Sequence, residues 1–80
     1  MMCNGKEELM PYFTVNNHAQ AGTGDHEVHD LASTRGCLPS VENRTDLGLY
    51  ETCSDAVDAA KTQYPKVNGC FWCAITCHTT

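Results

Sequence analysis

Cys70-x-x-Cys73 is the sharpest chemical signal in the chain. Two thiolates three positions apart in a tight loop can grip one tetrahedral ion, each sulfur about 2.3 Å from the metal. Asn68-Gly69 stands immediately before the pair and reads as a tight-turn dipeptide that presents it. Cys37 and His29 lie far back in the chain and supply a remote half-site. One local pair closed by one remote pair is the usual design of a structural zinc site. The expected metal set is therefore His29, Cys37, Cys70 and Cys73, with Cys53, Cys77 and His78 as alternates, and the expected cofactor is zinc in a structural role.

Two other thiol chemistries compete for the same residues. Six cysteines allow 15 disulfide pairings, among which spacing does not choose. A redox pair is the other. Thiol–disulfide enzymes place CxxC at a helix N-terminus in a βαβ setting, whereas here the one clear helical pattern precedes the motif. Cys53 begins the apolar stripe of that helix, where it serves either as a buried small hydrophobe or as an inward-facing ligand or disulfide partner. Among the histidines, His26 and His29 are three apart in a strand-like run and point to opposite faces, so only one of them can join a given site; His29 is the nearer to Cys37. His18 and His26 are read as surface or hydrogen-bonded residues. Of the neighbours Cys77 and His78, one can bind but not both without strain. Phe71 and Trp72, inside the CxxC, are expected to cap a small core over the metal. No Ser-His-Asp arrangement and no phosphate-cradling glycine loop is present; a nucleophilic cysteine near His29 or His78 is the one catalytic option.

Composition explains why such staples are expected. The 80 residues hold five Leu, one Ile, five Val and two Phe, below the roughly 20% at which packing alone comfortably accounts for folding. Three Tyr, one Trp and six Cys argue against disorder. Small scaffolds with weak cores carry disulfides or a structural metal. The formal charge is −5, from ten acids and five scattered bases. That balance disfavours nucleic acid, which wants a basic stripe, and an anionic membrane. No run approaches the roughly 20 apolar residues of a membrane span. Met1–Met10 has no apolar core of a secretory signal and reads as a loose leader before a single domain over residues 11–80. On its face this places the chain in a reducing cytoplasm, where a close cysteine cluster favours metal; an exported location follows instead if the cysteines are bridged. The functional expectation is a monomeric, non-catalytic interaction domain with an unspecified protein partner.

The elements that must position these residues are few. Tyr12-Phe13-Thr14-Val15 is β-prone, Asn16 to Asp25 is a turn rich in Asn and Gly, and His26 to Leu31 alternates and can pair back. Ala32 to Asp46 reads as an irregular loop pinned by Cys37, and Leu47 to Tyr50 as a brief third strand. Thr52 and Asp55 form an imperfect capping box. Cys53, Ala56, Val57, Ala60 and Tyr64 then share one helical face, and Pro65 ends the helix. The fold class is α+β: a β-hairpin, one helix and a C-terminal cysteine knuckle.

Taken together, Gly24 to His29 (GDHEVH), Cys37-Leu38-Pro39, Glu42-Asn43-Arg44, Asn68-Gly69-Cys70-x-x-Cys73 and Cys77-His78-Thr79 resemble a family of short cysteine-rich bacterial proteins. That resemblance spans residues 12–79 and implies a shared fold rather than an activity. A looser likeness runs to the Ada-type metal-binding domain, with its hairpin, half-site, helix and final C-x-x-C on zinc. By position it implies Cys37, Cys70 and Cys73 as three ligands, with His29 in the remaining half-site. The step from His29 to Cys37 is longer than that domain's, and its basic DNA-facing surface has no counterpart here, so the likeness implies a metal site and not phosphotriester repair.

Overall fold

The computed structural model describes residues 11–79. The expected leader and Cys3 lie outside them. Four strands, β1 (Tyr12–Asn16), β2 (His26–Asp30), β3 (Arg44–Leu49) and β4 (Val67–Gly69), form one mixed sheet in the order β3-β1-β2-β4. One helix, α1 (Cys53–Ala60), packs on it, and short 3-10 turns occupy Val41–Asn43 and Ile75–Cys77.

β1 and β2 make the expected antiparallel hairpin, pairing Phe13 with Asp30, Thr14 with His29 and Val15 with Val28. Strand alternation then sorts the side chains. Phe13, Val15 and Val28 are buried with Ala56 and Ala60 of α1, and Leu47, Tyr50, Cys53, Val57, Tyr64 and Val67 pack around them. Thr14 and His29 point to the opposite face and are also buried. His26 shares the helix face and stacks on Tyr64, ring centroids 4.1 Å apart. The two histidines are thus divided between faces, as their spacing requires.

β3 starts three residues earlier than the Leu47–Tyr50 expectation and pairs antiparallel with β1, with a register shift opposite Phe13 and Thr14. Leu47 is the extra residue between Asp46 and Gly48, and Gly48 takes φ +112°, a conformation glycine adopts without penalty. This bulge turns Leu47 toward the core.

The helix opens as read. Thr52 Oγ1 accepts from the Asp55 N–H at 3.2 Å; the return bond to the Thr52 N–H is absent among the described residues, in keeping with an Asp side chain one methylene shorter than Glu. It closes sooner than Pro65 alone would impose. Thr62 donates both its N–H (3.2 Å) and its hydroxyl (2.7 Å) to the Ala59 carbonyl, which pulls the chain into a tighter turn after Ala60. Tyr64 keeps its place on the stripe, bonding the Thr45 hydroxyl at 3.3 Å.

Asn68-Gly69 is not a turn. It is the end of β4, which runs parallel to β2 with His26, Glu27 and Val28 opposite Val67, Asn68 and Gly69. Asn68 is buried and uses its side chain as a clasp, Oδ1 accepting from the Gly69 N–H (2.9 Å) and the Thr79 N–H (2.8 Å). Gly69 is required by close approach: a Cβ there would lie 2.8 Å from the Ala74 carbonyl oxygen and 2.8 Å from Cys77 Cβ.

Candidate metal centre

The C-terminal end of β4 delivers the first cysteine. The Cys70 N–H donates to the Val28 carbonyl at 2.9 Å, extending the parallel ladder by one residue and setting Cys70 beside His29. The chain then turns, the Ala74 N–H closing on the Cys70 carbonyl at 2.9 Å, so that Cys73 returns to the same place. Cys37 arrives from the loop after β2. Its sulfur is 3.7 Å from the Ser33 hydroxyl, while Arg44 Nε donates to the Pro39 carbonyl at 2.9 Å and holds the far end of that loop.

His29, Cys37, Cys70 and Cys73 therefore meet, with one donor atom from each all within 4.8 Å of one another. His29 Nδ1 is 3.6 Å from Cys73 Sγ. A tetrahedron with bonds of about 2.3 Å to sulfur and 2.0 Å to nitrogen has edges of about 3.5–3.8 Å, so the cluster is close to the span one ion needs. Histidine and Cys70 are buried; Cys37 and Cys73 are partly exposed.

A backbone amide aims at one of the sulfurs: the Trp72 N–H reaches Cys70 Sγ at 3.4 Å. N–H donors around sulfur stabilise the anionic form that a metal requires. Without an ion the opposing force is burial. It pushes the Cys70 thiol up, and it takes Cys73 from 9.0 to about 12. At Cys37 burial also acts upward, but hydrogen bonds from Cys73, Ser33 and Cys70 outweigh it and hold that thiol below its ordinary value. Burial, with help from the Arg44 charge, lowers His29 and favours the neutral imidazole that ligates metals. Both thiols of the CxxC are raised by burial, and the motif sits in a turn after a strand, not at the helix N-terminus where thiol–disulfide enzymes place it.

The alternate ligands are engaged elsewhere. Cys53 and Cys77 are joined in a disulfide, Cα atoms 6.1 Å apart, tying the first residue of α1 to the last 3-10 turn. His78 Nδ1 is 2.9 Å from the Gly69 carbonyl and stands outside the tetrad. Among the described residues the cysteines thus divide into one bridged pair and one cluster with His29 that could hold a metal ion. Phe71 and Trp72 do not cap the core: they are 47% and 59% exposed, packed edge to face at a centroid distance of 5.0 Å. The reason is the turn itself, which points Cys70 and Cys73 inward and so the two residues between them outward. Beyond them an open groove of about 290 Å³ runs along Asp30, Ser33, Thr34, Arg35 and Trp72.

No helix among the described residues is long and apolar enough to cross a membrane. No family model, curated protein or solved structure matches the chain.

Proposed function

We propose that His29, Cys37, Cys70 and Cys73 hold a structural zinc ion, and that the domain is a non-catalytic interaction module built around it. The observation that carries this reading is the convergence of three sulfurs and one imidazole nitrogen within 4.8 Å. The donor set suits zinc, which favours tetrahedral thiolate and imidazole ligation. The physical need for it is equally plain. Five apolar side chains make up the fully buried core cluster, two of them alanines, whereas a structural zinc contributes on the order of 10 kcal/mol to folding. With all four positions taken by protein atoms, no coordination site is left for a substrate or an activated water, and the metal acts on shape alone. Phe71 and Trp72 project from the knuckle packed edge to face, each about half exposed; apolar side chains together on a surface are what an interaction module offers a protein partner.

The Cys53–Cys77 bridge favours a second reading of location, an oxidising compartment in which disulfides persist. It leaves the metal reading intact, since the bridge and the tetrad use different cysteines.

Titration of the metal-free, bridged protein with cobalt(II) tests the site. Tetrahedral coordination by three thiolates and one imidazole is expected, seen as intense visible ligand-field bands with sulfur-to-metal charge transfer, saturating at one ion per chain and displaced by zinc. Weak octahedral absorption, or no saturable binding, would exclude the site.

A further inference from the structure

The two staples share one segment. Residues 70–77 carry two members of the tetrad, Cys70 and Cys73, and one end of the bridge, Cys77. No slack separates them: the Ala74 N–H bonds the Cys70 carbonyl and the Cys77 N–H bonds the Ala74 carbonyl, each at 2.9 Å. Cys77 also lies against Gly69, the residue before Cys70, so closely that a Cβ on Gly69 would overlap it. At its other end the bridge is anchored at Cys53, the first residue of the helix whose Ala56 and Ala60 are completely buried. The segment has little apolar anchorage of its own. Cys70 and Ala74 are buried, but Phe71, Trp72 and Ile75 are about half exposed. Ordering it costs conformational entropy, which the bridge and the ion both offset.

From this we infer that the Cys53–Cys77 bridge and metal at the tetrad are thermodynamically coupled, so that the redox state of the bridge sets the affinity for the ion. The inference rests on the zinc reading above. When the bridge is closed the knuckle is already held against β4, and the ion meets ligands near their final places. When it is open the ion must order the segment as well and binds more weakly. The coupling is reciprocal: bound zinc makes the bridge harder to reduce by the same factor. Reduction itself consumes two equivalents of a small thiol such as glutathione. The first attacks one bridge sulfur and forms a mixed disulfide, releasing the other cysteine as thiolate. The second attacks the mixed disulfide, giving the free protein thiols and the oxidised small-molecule disulfide. Only the bridge changes state; the tetrad sulfurs remain reduced throughout.

The separation of 24 residues between the bridged cysteines bounds the effect. Chain-entropy arguments for a loop of that size cap it at about 300-fold, and a segment partly held by β4 should fall between about tenfold and that limit. Zinc affinity of the full chain is measured by competition with a chromophoric chelator, for the bridged protein and for the double variant Cys53→Ser/Cys77→Ser. A loss of tenfold or more in the variant is expected, and equal affinities within twofold overturn the coupling. Because the variant can lose its fold without metal, a second measurement uses the unaltered chain. It is equilibrated in glutathione redox buffers with and without zinc, and the bridge is located by alkylation and peptide mass. Zinc is expected to shift the bridge equilibrium by the same factor toward the oxidised form; no shift overturns the inference even if the variant misfolds. A bridged protein that binds no zinc at all refutes the metal site itself, an outcome distinct from zinc bound equally well in both redox states.

Discussion

Gly69→Ala isolates the physical claim that β4, the knuckle and the bridge form one packed unit. The added Cβ would meet the Ala74 carbonyl oxygen at 2.8 Å, Cys77 Cβ at 2.8 Å and the Cys77 carbonyl carbon at 2.9 Å. Two of these are backbone atoms and the third belongs to a bridged cysteine, so none can swing aside as a flexible side chain would. The knuckle must move as a body, or β4 must withdraw from β2. Overpacking of this kind typically costs about 1–3 kcal/mol, and three rigid contacts at once place the expected loss in the upper half, about 2–3 kcal/mol. For a domain of this size that corresponds to a fall on the order of 10–20 °C in the thermal midpoint. The assay is thermal and urea unfolding of the zinc-loaded, bridged protein, followed by circular dichroism. Gly22→Ala is the control: it has open space around the new Cβ but φ +94°, so it should lose only about 1 kcal/mol to backbone strain. A Gly69→Ala protein as stable as the unaltered chain would falsify the close-packed arrangement of β4 and Cys77.

Three further outcomes follow from the same geometry. His29→Ala removes the proposed nitrogen ligand from a buried position and should lower zinc affinity by more than the roughly 10–100-fold typical of changes to groups behind the ligands; chelator competition at fixed pH reads it, and unchanged affinity removes His29 from the site. His29, Cys70 and Cys73 together should favour the metal-free, bridged protein between about pH 6.5 and 9, with Cys37, held low, adding stability as pH rises toward 9 and Glu27, raised by burial, offsetting part of the acid limb. His29 is lowered from 6.5 by burial, so the unfolded chain takes up its proton first and stability falls as pH drops through and below that value. Cys70 and Cys73 are raised from 9.0 by burial, Cys73 to about 12, so the stability they contribute is present below pH 9 and is lost as pH rises toward 12; urea midpoints across pH check both limbs, and His29→Gln should flatten the acid one. Thr52→Ala deletes the cap on the Asp55 N–H and should cost about 1 kcal/mol, read from the urea midpoint at constant slope.

The elements legible in the sequence were those with a local cause. Tyr12–Val15 is a β-prone run and His26–Leu31 alternates, and the helix start is written in Thr52 and Asp55. The meeting of His29, Cys37, Cys70 and Cys73 could be anticipated because it needs only a local CxxC and a remote pair on one strand face and its following loop. What could not be read was whatever depends on a distant partner. β4 has three residues and no apolar alternation; it exists because β2 offers an edge and because Asn68 is clasped to Thr79. Asn-Gly means a turn only when nothing pairs with it. Likewise Phe71 and Trp72 are apolar enough to suggest burial, but the turn that brings two sulfurs together forces the side chains between them outward.

The division of the cysteines follows from the same logic. Cys53 and Cys77 stand on the helix side, Cys53 within the apolar cluster packed on Phe13, Val15 and Val28, while His29 lies on the opposite strand face with Cys70 and Cys73. The C-terminal segment wraps the end of β4, so its cysteines alternate in duty: the first two face the histidine and the last faces the helix. A sheet this small has two faces to close and enough apolar residues for one. The helix and bridge close the first, and the histidine–cysteine cluster occupies the place where a second hydrophobic layer would otherwise be needed. On that argument replacing the three tetrad cysteines by serine should expose Thr14 and His29 to solvent while leaving the helix against Phe13, Val15 and Val28, because hydroxyls supply neither thiolates for the proposed ion nor an apolar layer.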